Sequence, residues 1–235
     1  MPSANTYERP RPVREGPPPR RRKRRRRRRN PRPFLLLPLL ALVIGGGLFV
    51  RRSLAPDGES IPVPDYVKQD FLTVNPYSRP GDELKSIRGV VIHYVGNPAT
   101  SAQANRSYFE GLSAGTDETY ASSHFVVGLE GEVLQCIPLT EIAYASNSRN
   151  EDTVSIEVCH PDETGEFSPV TYDSVVQLTA WLCETFHLDP ETDVIRHYDV
   201  TGKYCPRYYV ENEDAWAGLK ADVADRMAQD QAAAS

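Results

Sequence analysis

The chain has 235 residues with 27 basic and 32 acidic side chains, a formal net charge of −5, and 40% hydrophobic residues. These averages are those of an ordinary soluble protein, but the charge is unevenly distributed. Residues 1–33 contain 14 Lys or Arg against Glu8 and Glu15, a net charge of +12, whereas the chain after position 52 contains 11 basic and 30 acidic residues, a net charge of −19. Such a division excludes a chain built as one uniform domain.

The first 33 residues are rich in Pro and Arg and have too few apolar side chains to bury a core, so we expect a disordered tail. The run RRRKRRRRRR at 20–29 is typical of a nucleic-acid-binding arm or a nuclear address. Next to an apolar segment it is better interpreted as a topology determinant that also contacts anionic lipid. We therefore predict a lipid partner and no nucleic-acid partner.

Residues 34–50, FLLLPLLALVIGGGLFV, contain no charge and are flanked by Arg32 and by Arg51 and Arg52. Seventeen residues of helix are just long enough to cross a thin bilayer. A cleaved signal peptide is the alternative, but the run is long for one and lacks a small-residue cleavage pattern. We predict a transmembrane anchor with the arginine block cytoplasmic and the rest of the chain at the outer face of the cell membrane.

Residues 51–66 contain three prolines and no periodicity, which predicts a stalk. The remaining chain has the size of one domain, placed at 67–228, followed by a C-terminal tail at 229–235. Short β-branched runs predict strands within 88–95, 153–159 and 193–197, and residues 122–137 predict two strands about a turn at Glu130 and Gly131.

Apolar side chains at helical spacing predict helices over 101–112 and 171–188, and a last helix that carries Trp216, Leu219, Val223 and Met227 on one face. Strands interleaved with helices indicate an α/β domain with a central mixed β-sheet flanked by helices. With the predicted anchor, the fold class is one such domain preceded by a single transmembrane helix.

Three side chains of this domain can converge on a metal ion. His93 lies at the end of the first strong strand and His197 at the end of the last, and Cys205 follows across the tight turn TGKYCP. Taken singly, a strand histidine or a cysteine is more often a buried core residue. Together they form a His, His, Cys set, which is typical of a zinc site with one open position.

Over about 65–227 the chain resembles the zinc-dependent N-acetylmuramoyl-L-alanine amidases, the family of the phage lysozyme-type amidases and the peptidoglycan recognition proteins. The resemblance rests on GVVIHYVGNP, ASSHFVVGLEGEVLQCIP, NEDTVSIEVCHP and RHYDVTGKYCP, which occur in that order. It implies a Zn²⁺ cofactor held by His93, His197 and Cys205, and peptidoglycan as the substrate.

The resemblance further implies that Glu157 and Lys203 are catalytic. Glu157 would take a proton from water and pass it to the departing amine, and Lys203 would stabilise the oxyanion. The alternatives are a carboxylate on a solvent-exposed edge strand for Glu157 and a solvated loop lysine for Lys203. Some family members have a catalytic Tyr at the position of Ser123, so that contribution is expected to be absent here.

The other histidines and cysteines are assigned from their surroundings. We predict that His124 lines the cleft and binds substrate, with a hydrogen-bonded core histidine as the alternative. His160 and His187 are predicted to be surface residues. If Cys205 is a metal ligand, three cysteines remain, which are Cys136, Cys159 and Cys183. An odd number of cysteines cannot all pair, and this favours buried free thiols over disulfides.

Three functions are compatible with these features. The first is a membrane-anchored bacterial amidase that cleaves between N-acetylmuramic acid and L-alanine. The second is a peptidoglycan receptor of the same fold without hydrolysis, which the presence of Cys205, Lys203 and Glu157 disfavours. The third is a zinc peptidase that cuts within the stem peptide.

Overall fold

The structure is a computed structural model that describes residues 61–116 and 118–235. The predicted basic tail, the predicted transmembrane anchor and residues 51–60 of the predicted stalk lie outside the described residues. None of the helices in the described ranges is both long enough and apolar enough to cross a bilayer.

A six-stranded mixed sheet forms the centre of the fold, as the sequence predicts. Its spatial order is β1-β4-β3-β5-β2-β6. Strands β3, β5, β2 and β6 are parallel, β4 is antiparallel to β3, and edge strand β1 is parallel to β4. The strands are β1 (Val67–Gln69), β2 (Val90–Tyr94), β3 (Phe125–Val127), β4 (Val133–Gln135), β5 (Val154–Val158) and β6 (Val194–Arg196).

In the described residues six α-helices accompany the sheet, and their termini follow the local sequence. Ser101 caps α1 and Ser168 caps α2, each accepting a backbone N–H of the first turn. Helix α2 ends at His187, which adopts a left-handed φ of 57°. The helices are α1 (Ala102–Gly111), α2 (Pro169–Phe186), α3 (Pro190–Asp193), α4 (His197–Thr201), α5 (Arg207–Glu211) and α6 (Glu213–Ala233).

The two faces of the sheet bury two apolar clusters, because successive side chains of a strand point to opposite faces. Phe125 and Val127 of β3 belong to the larger cluster, which includes the apolar sides of α2 and α6. Val126 between them belongs to the smaller cluster, with Ala102 and Phe109 of α1. The predicted stripe of α6 is buried at Trp216, Leu219 and Val223.

The structure differs from the sequence-based expectation at both ends of the domain. Ile61 and Val63, assigned to the stalk, pack against the larger apolar cluster. Strand β1 is not predicted, because three residues of edge strand carry no recognisable alternation. Helix α6 continues through Ala233, beyond residue 228 where the sequence places the end of the domain, and an i,i+4 ion pair of Arg226 with Asp230 supports its last turns.

The carboxyl ends of β2, β5 and β6 meet at one edge of the sheet, where loops gather in parallel α/β sheets. His93 of β2 lies opposite Glu157 of β5 in the register. His197 follows the last residue of β6 directly and is the first residue of α4. The strand pairing therefore places His93 beside the Glu157 carboxylate, and it places His197 just past the end of the strand on the other side of β2.

Candidate metal centre

His93, His197 and Cys205 form a compact group of potential metal ligands. Each offers one ligand atom, and these atoms all lie within 4.8 Å of one another. The Cys205 Sγ is 3.8 Å from His93 Nδ1, and the two imidazole centroids are 4.7 Å apart. All three side chains are buried. A sulfur and a nitrogen on one tetrahedral zinc ion are separated by roughly 3.6 Å, which is close to the distance here.

The turn after β6 returns Cys205 to His197. Gly202 ends α4 with a left-handed φ of 77°, and its N–H donates to the carbonyl of Tyr198 at 2.7 Å. The Tyr198 N–H then donates to the Cys205 carbonyl at 2.9 Å. A left-handed residue at this point favours glycine because other side chains are strained there. The chain thereby reverses within a few residues and brings the thiol beside both imidazoles.

The outer nitrogens of both imidazoles have partners on one loop. His93 Nε2 lies 3.1 Å from Ser146 Oγ, and His197 Nε2 lies 3.0 Å from Asn147 Oδ1. The Nδ1 of each ring is thus left for another ligand, and that of His93 lies 3.8 Å from the Cys205 sulfur. Ser146 and Asn147 could not be identified from the sequence, because a loop of small polar residues between strands gives no signal of what it contacts.

The donor set fits a divalent cation chemically. Burial lowers the pKa of His197 to about 4 and that of His93 well below its usual value, and the nearby Lys203 lowers both further. Both rings are therefore neutral, which is the form that binds metals. Burial first, and then Glu157, raise the pKa of the Cys205 thiol to about 12, so a cation is needed to stabilise its thiolate.

Glu157 presents a carboxylate next to this group. Its side chain is partly buried, and Oε2 is a buried atom with no hydrogen-bond partner among the described residues. Burial raises the pKa of Glu157 to about 8, against an opposing effect of Lys203. A central strand holds this carboxylate, so the alternative of an exposed edge strand is wrong. An unpaired buried carboxylate oxygen beside three metal-binding donors is typical of a functional acid or base.

Lys203 supplies positive charge to the same site. It is exposed, and its positive charge lowers the pKa of His93, His197 and Glu157. Most cations of this acidic domain are held in ion pairs, such as Arg79 with Glu141. Lys203 makes no such pair with any residue in the described ranges, so its ammonium group is available to a ligand.

The prediction that His124 binds substrate is corrected by its position. The ring is 1% exposed, and both of its nitrogens are used within the protein. Nδ1 lies 3.0 Å from both the Oγ and the backbone N of Ser155, and Nε2 lies 3.0 Å from the Glu141 carbonyl oxygen. His124 is the hydrogen-bonded core histidine of the alternative interpretation, because no ring atom is left for a ligand.

Burial of His124 makes the stability of the domain depend on pH. The pKa of His124 is lowered from 6.5 to about 4, because the effect of burial outweighs the opposing effect of the hydrogen bond to the Glu141 carbonyl. The unfolded chain therefore binds the proton first, and this contribution to stability is complete above pH 6.5 and is lost as the pH falls toward 4. At pH 5 the loss amounts to about 2 kcal/mol.

We expect a His124→Gln variant to be less stable than the wild type at pH 7.5, and this difference to shrink by about 2 kcal/mol at pH 5. The measurement is urea unfolding of both metal-free proteins at the two pH values. His187→Gln is the control, since His187 is exposed. If the free energies of unfolding of the wild type and His124→Gln differed by the same amount at both pH values, His124 would not be a neutral, buried histidine with a lowered pKa.

The remaining predictions for histidine and cysteine have mixed outcomes. His187 is exposed as predicted, but His160 is 2% exposed and its ring nitrogens contact the carbonyls of Val95 and Asp162. The surface prediction for His160 is wrong because the loop after β5 folds over it. The free thiols are confirmed at all three further cysteines, which are buried: Cys136, Cys159 and Cys183.

Ser123 is also buried, and its hydroxyl donates toward the carbonyls of Phe125 and Ser155 at 2.9 Å. It is therefore held within the core.

Comparison with known proteins agrees with this geometry. The sequence profile of the N-acetylmuramoyl-L-alanine amidase family matches residues 83–208, which include all three potential ligands as well as Glu157 and Lys203. The chain is 31% identical over 177 residues to the N-acetylmuramoyl-L-alanine amidase BlyA of Bacillus subtilis, covering 67% of this chain and 46% of that protein.

A second curated relative and a solved structure show the same similarity to amidases. The amidase CwlL of Bacillus licheniformis is 32% identical over 169 residues, covering 67% of this chain and 46% of that protein. The chain thus spans about half the length of the relatives that it matches. Among solved structures, the catalytic domain of XlyA superimposes with a TM-score of 0.56 at 26% identity, covering 67% of this chain and 98% of that domain.

Proposed function

The chain belongs to the N-acetylmuramoyl-L-alanine amidase family, and we propose that it hydrolyses the amide bond between N-acetylmuramic acid and L-alanine in peptidoglycan with the help of a zinc ion. The observation that carries this proposal is the group of ligand atoms of His93, His197 and Cys205 within 4.8 Å, with Glu157 beside it. When bound, zinc lowers the pKa of a coordinated water to about 7 and polarises the scissile carbonyl.

Glu157 is the residue that moves protons in this proposal. Its Oε2 has no hydrogen-bond partner in the described part of the chain, so it can accept a hydrogen bond from the attacking water. As the water oxygen bonds to the carbonyl carbon, the carboxylate takes up one proton. It then delivers that proton to the amide nitrogen, and the bond between carbon and nitrogen breaks to release the free amine.

Lys203 stabilises the charge that develops on the carbonyl oxygen. Its ammonium group is exposed and makes no ion pair with a described residue, so a substrate can contact it without breaking an existing interaction. Cations aimed at a developing oxyanion lower the barrier more than they stabilise the substrate, because the charge appears only in the transition state.

We expect Lys203→Gln to lower kcat by about 100- to 1000-fold and to leave the zinc content unchanged. Steady-state kinetics and metal analysis of the purified chain provide the measurement. Lys85→Gln removes another exposed lysine, outside the site, and should keep full activity. A Lys203→Gln enzyme with wild-type kcat would show that this cation has no role in the reaction.

The reaction itself is tested by digesting purified peptidoglycan with the full chain and analysing the products by mass spectrometry. The proposal requires released stem peptides with a free N-terminal L-alanine and glycan that has lost them. Shortened stems still attached to sugar would indicate a peptidase instead. Bound but uncleaved peptidoglycan would indicate the receptor alternative.

We also propose that the domain acts at the outer face of the cell membrane. The support is in the sequence: residues 34–50 are uncharged, and the cationic run at 20–29 precedes them. Lipid contacts of this run add about 1 kcal/mol for each basic residue near the surface. Extraction of cell membranes with alkaline carbonate tests the anchor, since a chain released without detergent would contradict it.

A further inference from the structure

We propose that Ser146 and Asn147 are positioning residues that fix the two histidine ligands for the metal, so that one loop sets the orientation of both imidazole rings. This inference rests on the proposed function, because it assumes that His93, His197 and Cys205 hold a metal ion. It assigns a role to a loop in which no side chain would itself bind the ion.

The first contact is made by Ser146. Its Oγ lies 3.1 Å from His93 Nε2, on the ring position away from Cys205. Ser146 is 1% exposed and His93 is 1% exposed, so water does not compete for this hydrogen bond. When the hydroxyl accepts a hydrogen bond from the Nε2–H group, the proton of the neutral ring is on Nε2 and Nδ1 keeps its lone pair. Nδ1 is the nitrogen that lies 3.8 Å from the Cys205 sulfur.

The second contact is made by Asn147 to the other ring. Its Oδ1 lies 3.0 Å from His197 Nε2. An amide oxygen only accepts hydrogen bonds, so Nε2 must carry the proton and Nδ1 must be the free nitrogen. Asn147 has a left-handed φ of 52°, a conformation that Asn tolerates better than most residues. This backbone conformation lets consecutive residues contact two different histidines.

The loop that carries Ser146 and Asn147 is held in place by the side chain of Asn150. Asn150 is 6% exposed, and its Oδ1 accepts the N–H groups of Ala145 at 3.1 Å and of Ser146 at 2.6 Å. A 3-10 turn over Asn147–Arg149 closes the loop, with the Arg149 N–H donating to the Ser146 carbonyl at 3.0 Å. The positions of Ser146 and Asn147 are therefore fixed before any metal binds.

The physical consequence is a preorganised donor set. His93 comes from β2 and His197 from α4, so nothing within either element fixes the rotation of one ring relative to the other. The loop provides that link because it contacts both rings at Nε2 and leaves Nδ1 of each ring without a loop contact. Loss of such partners of metal-binding histidines typically costs about 10- to 100-fold in metal affinity.

The test measures zinc affinity of the full chain by competition with a chromophoric chelator. We expect Ser146→Ala and Asn147→Gly each to weaken binding by about 10- to 100-fold. Glycine is chosen at Asn147 because it adopts the left-handed conformation without strain. Asn147→Asp keeps an acceptor oxygen and should bind zinc within a few-fold of the wild type. Ser148→Ala is the matched control, since Ser148 is an exposed residue of the same loop.

Cobalt(II) in place of zinc gives a second readout. The visible absorption bands of the ion report its coordination geometry, and they should change in Ser146→Ala and Asn147→Gly but not in Ser148→Ala. If Ser146→Ala also destabilises the metal-free chain, the test of the positioning role rests on Asn147→Gly. Asn147 is partly exposed and its backbone conformation suits glycine, so this variant should keep its fold.

The outcomes separate the inference from the proposed function. Wild-type zinc affinity and an unchanged cobalt spectrum in Asn147→Gly and Ser146→Ala would overturn the positioning role and leave the metal centre intact. A wild-type chain that binds no zinc at all would overturn the proposed metal centre, and the positioning role with it.

Discussion

Cys205→Ser is expected to lose zinc and to have no detectable amidase activity. Cys205 supplies the single sulfur donor of the centre, and it is 2% exposed beside His93. A serine hydroxyl is a much weaker acid than a thiol and does not become an anionic ligand in the same place. We expect zinc affinity to fall by more than about 100-fold, because even partners of the ligands are worth 10- to 100-fold.

Cys183→Ser is the matched control for this change. Cys183 is also a buried free thiol, but it lies on α2 within the larger apolar cluster. The serine there should lower the stability of the domain and leave zinc content and activity per folded molecule unchanged. Metal analysis and peptidoglycan digestion of both variants provide the comparison. Retained zinc together with retained hydrolysis in Cys205→Ser would exclude the proposed centre.

The second large effect is expected for Glu157→Gln. Glutamine has nearly the same shape as glutamate but cannot take up a proton from water, so we expect kcat to fall by about 100- to 10,000-fold. Zinc content should not fall, because Glu157 is not among the three potential ligands. Stability should stay close to that of the wild type, because the uncharged amide has nearly the same shape and replaces a carboxyl group whose Oε2 has no partner among the described residues.

Single-turnover kinetics with a soluble muramyl peptide and parallel metal analysis separate these expectations. Glu151→Gln provides the control, because Glu151 is an exposed carboxylate just before β5. A Glu157→Gln enzyme that has lost its zinc would assign the carboxylate to metal binding. One that keeps both zinc and wild-type kcat would remove Glu157 from the mechanism.

The central strands and long helices could be predicted from local patterns. β2 and β5 are β-branched runs that are buried on both faces, and such runs stand out in a sequence. The turn at Glu130 and Gly131 predicts the hairpin of β3 and β4, and the structure confirms it. β1 and the short helices α3 to α5 have too few residues for any periodicity, so their positions depend on tertiary contacts.

The histidines show where sequence reasoning fails. His124 directly precedes an apolar strand and His160 lies in a loop, and neither position alone shows what covers the ring, yet the two side chains are only 1% and 2% exposed. Each is stabilised by contacts with distant carbonyls, from Glu141 and Val95 respectively. Burial that a distant loop imposes leaves no trace in the neighbouring residues, so it could not be inferred from them.

Periodicity and side-chain identity were enough to predict the α/β class, the order of the main elements and the residue types available for metal chemistry. The folded chain was needed to show how close His93, His197 and Cys205 lie, and that Ser146 and Asn147 contact the Nε2 atoms of the two rings. The contacts of Ser146 with His93, of Asn147 with His197 and of His93 with Cys205 join residues that are 53, 50 and 112 positions apart, and such contacts depend on strand pairing and loop packing rather than on local sequence.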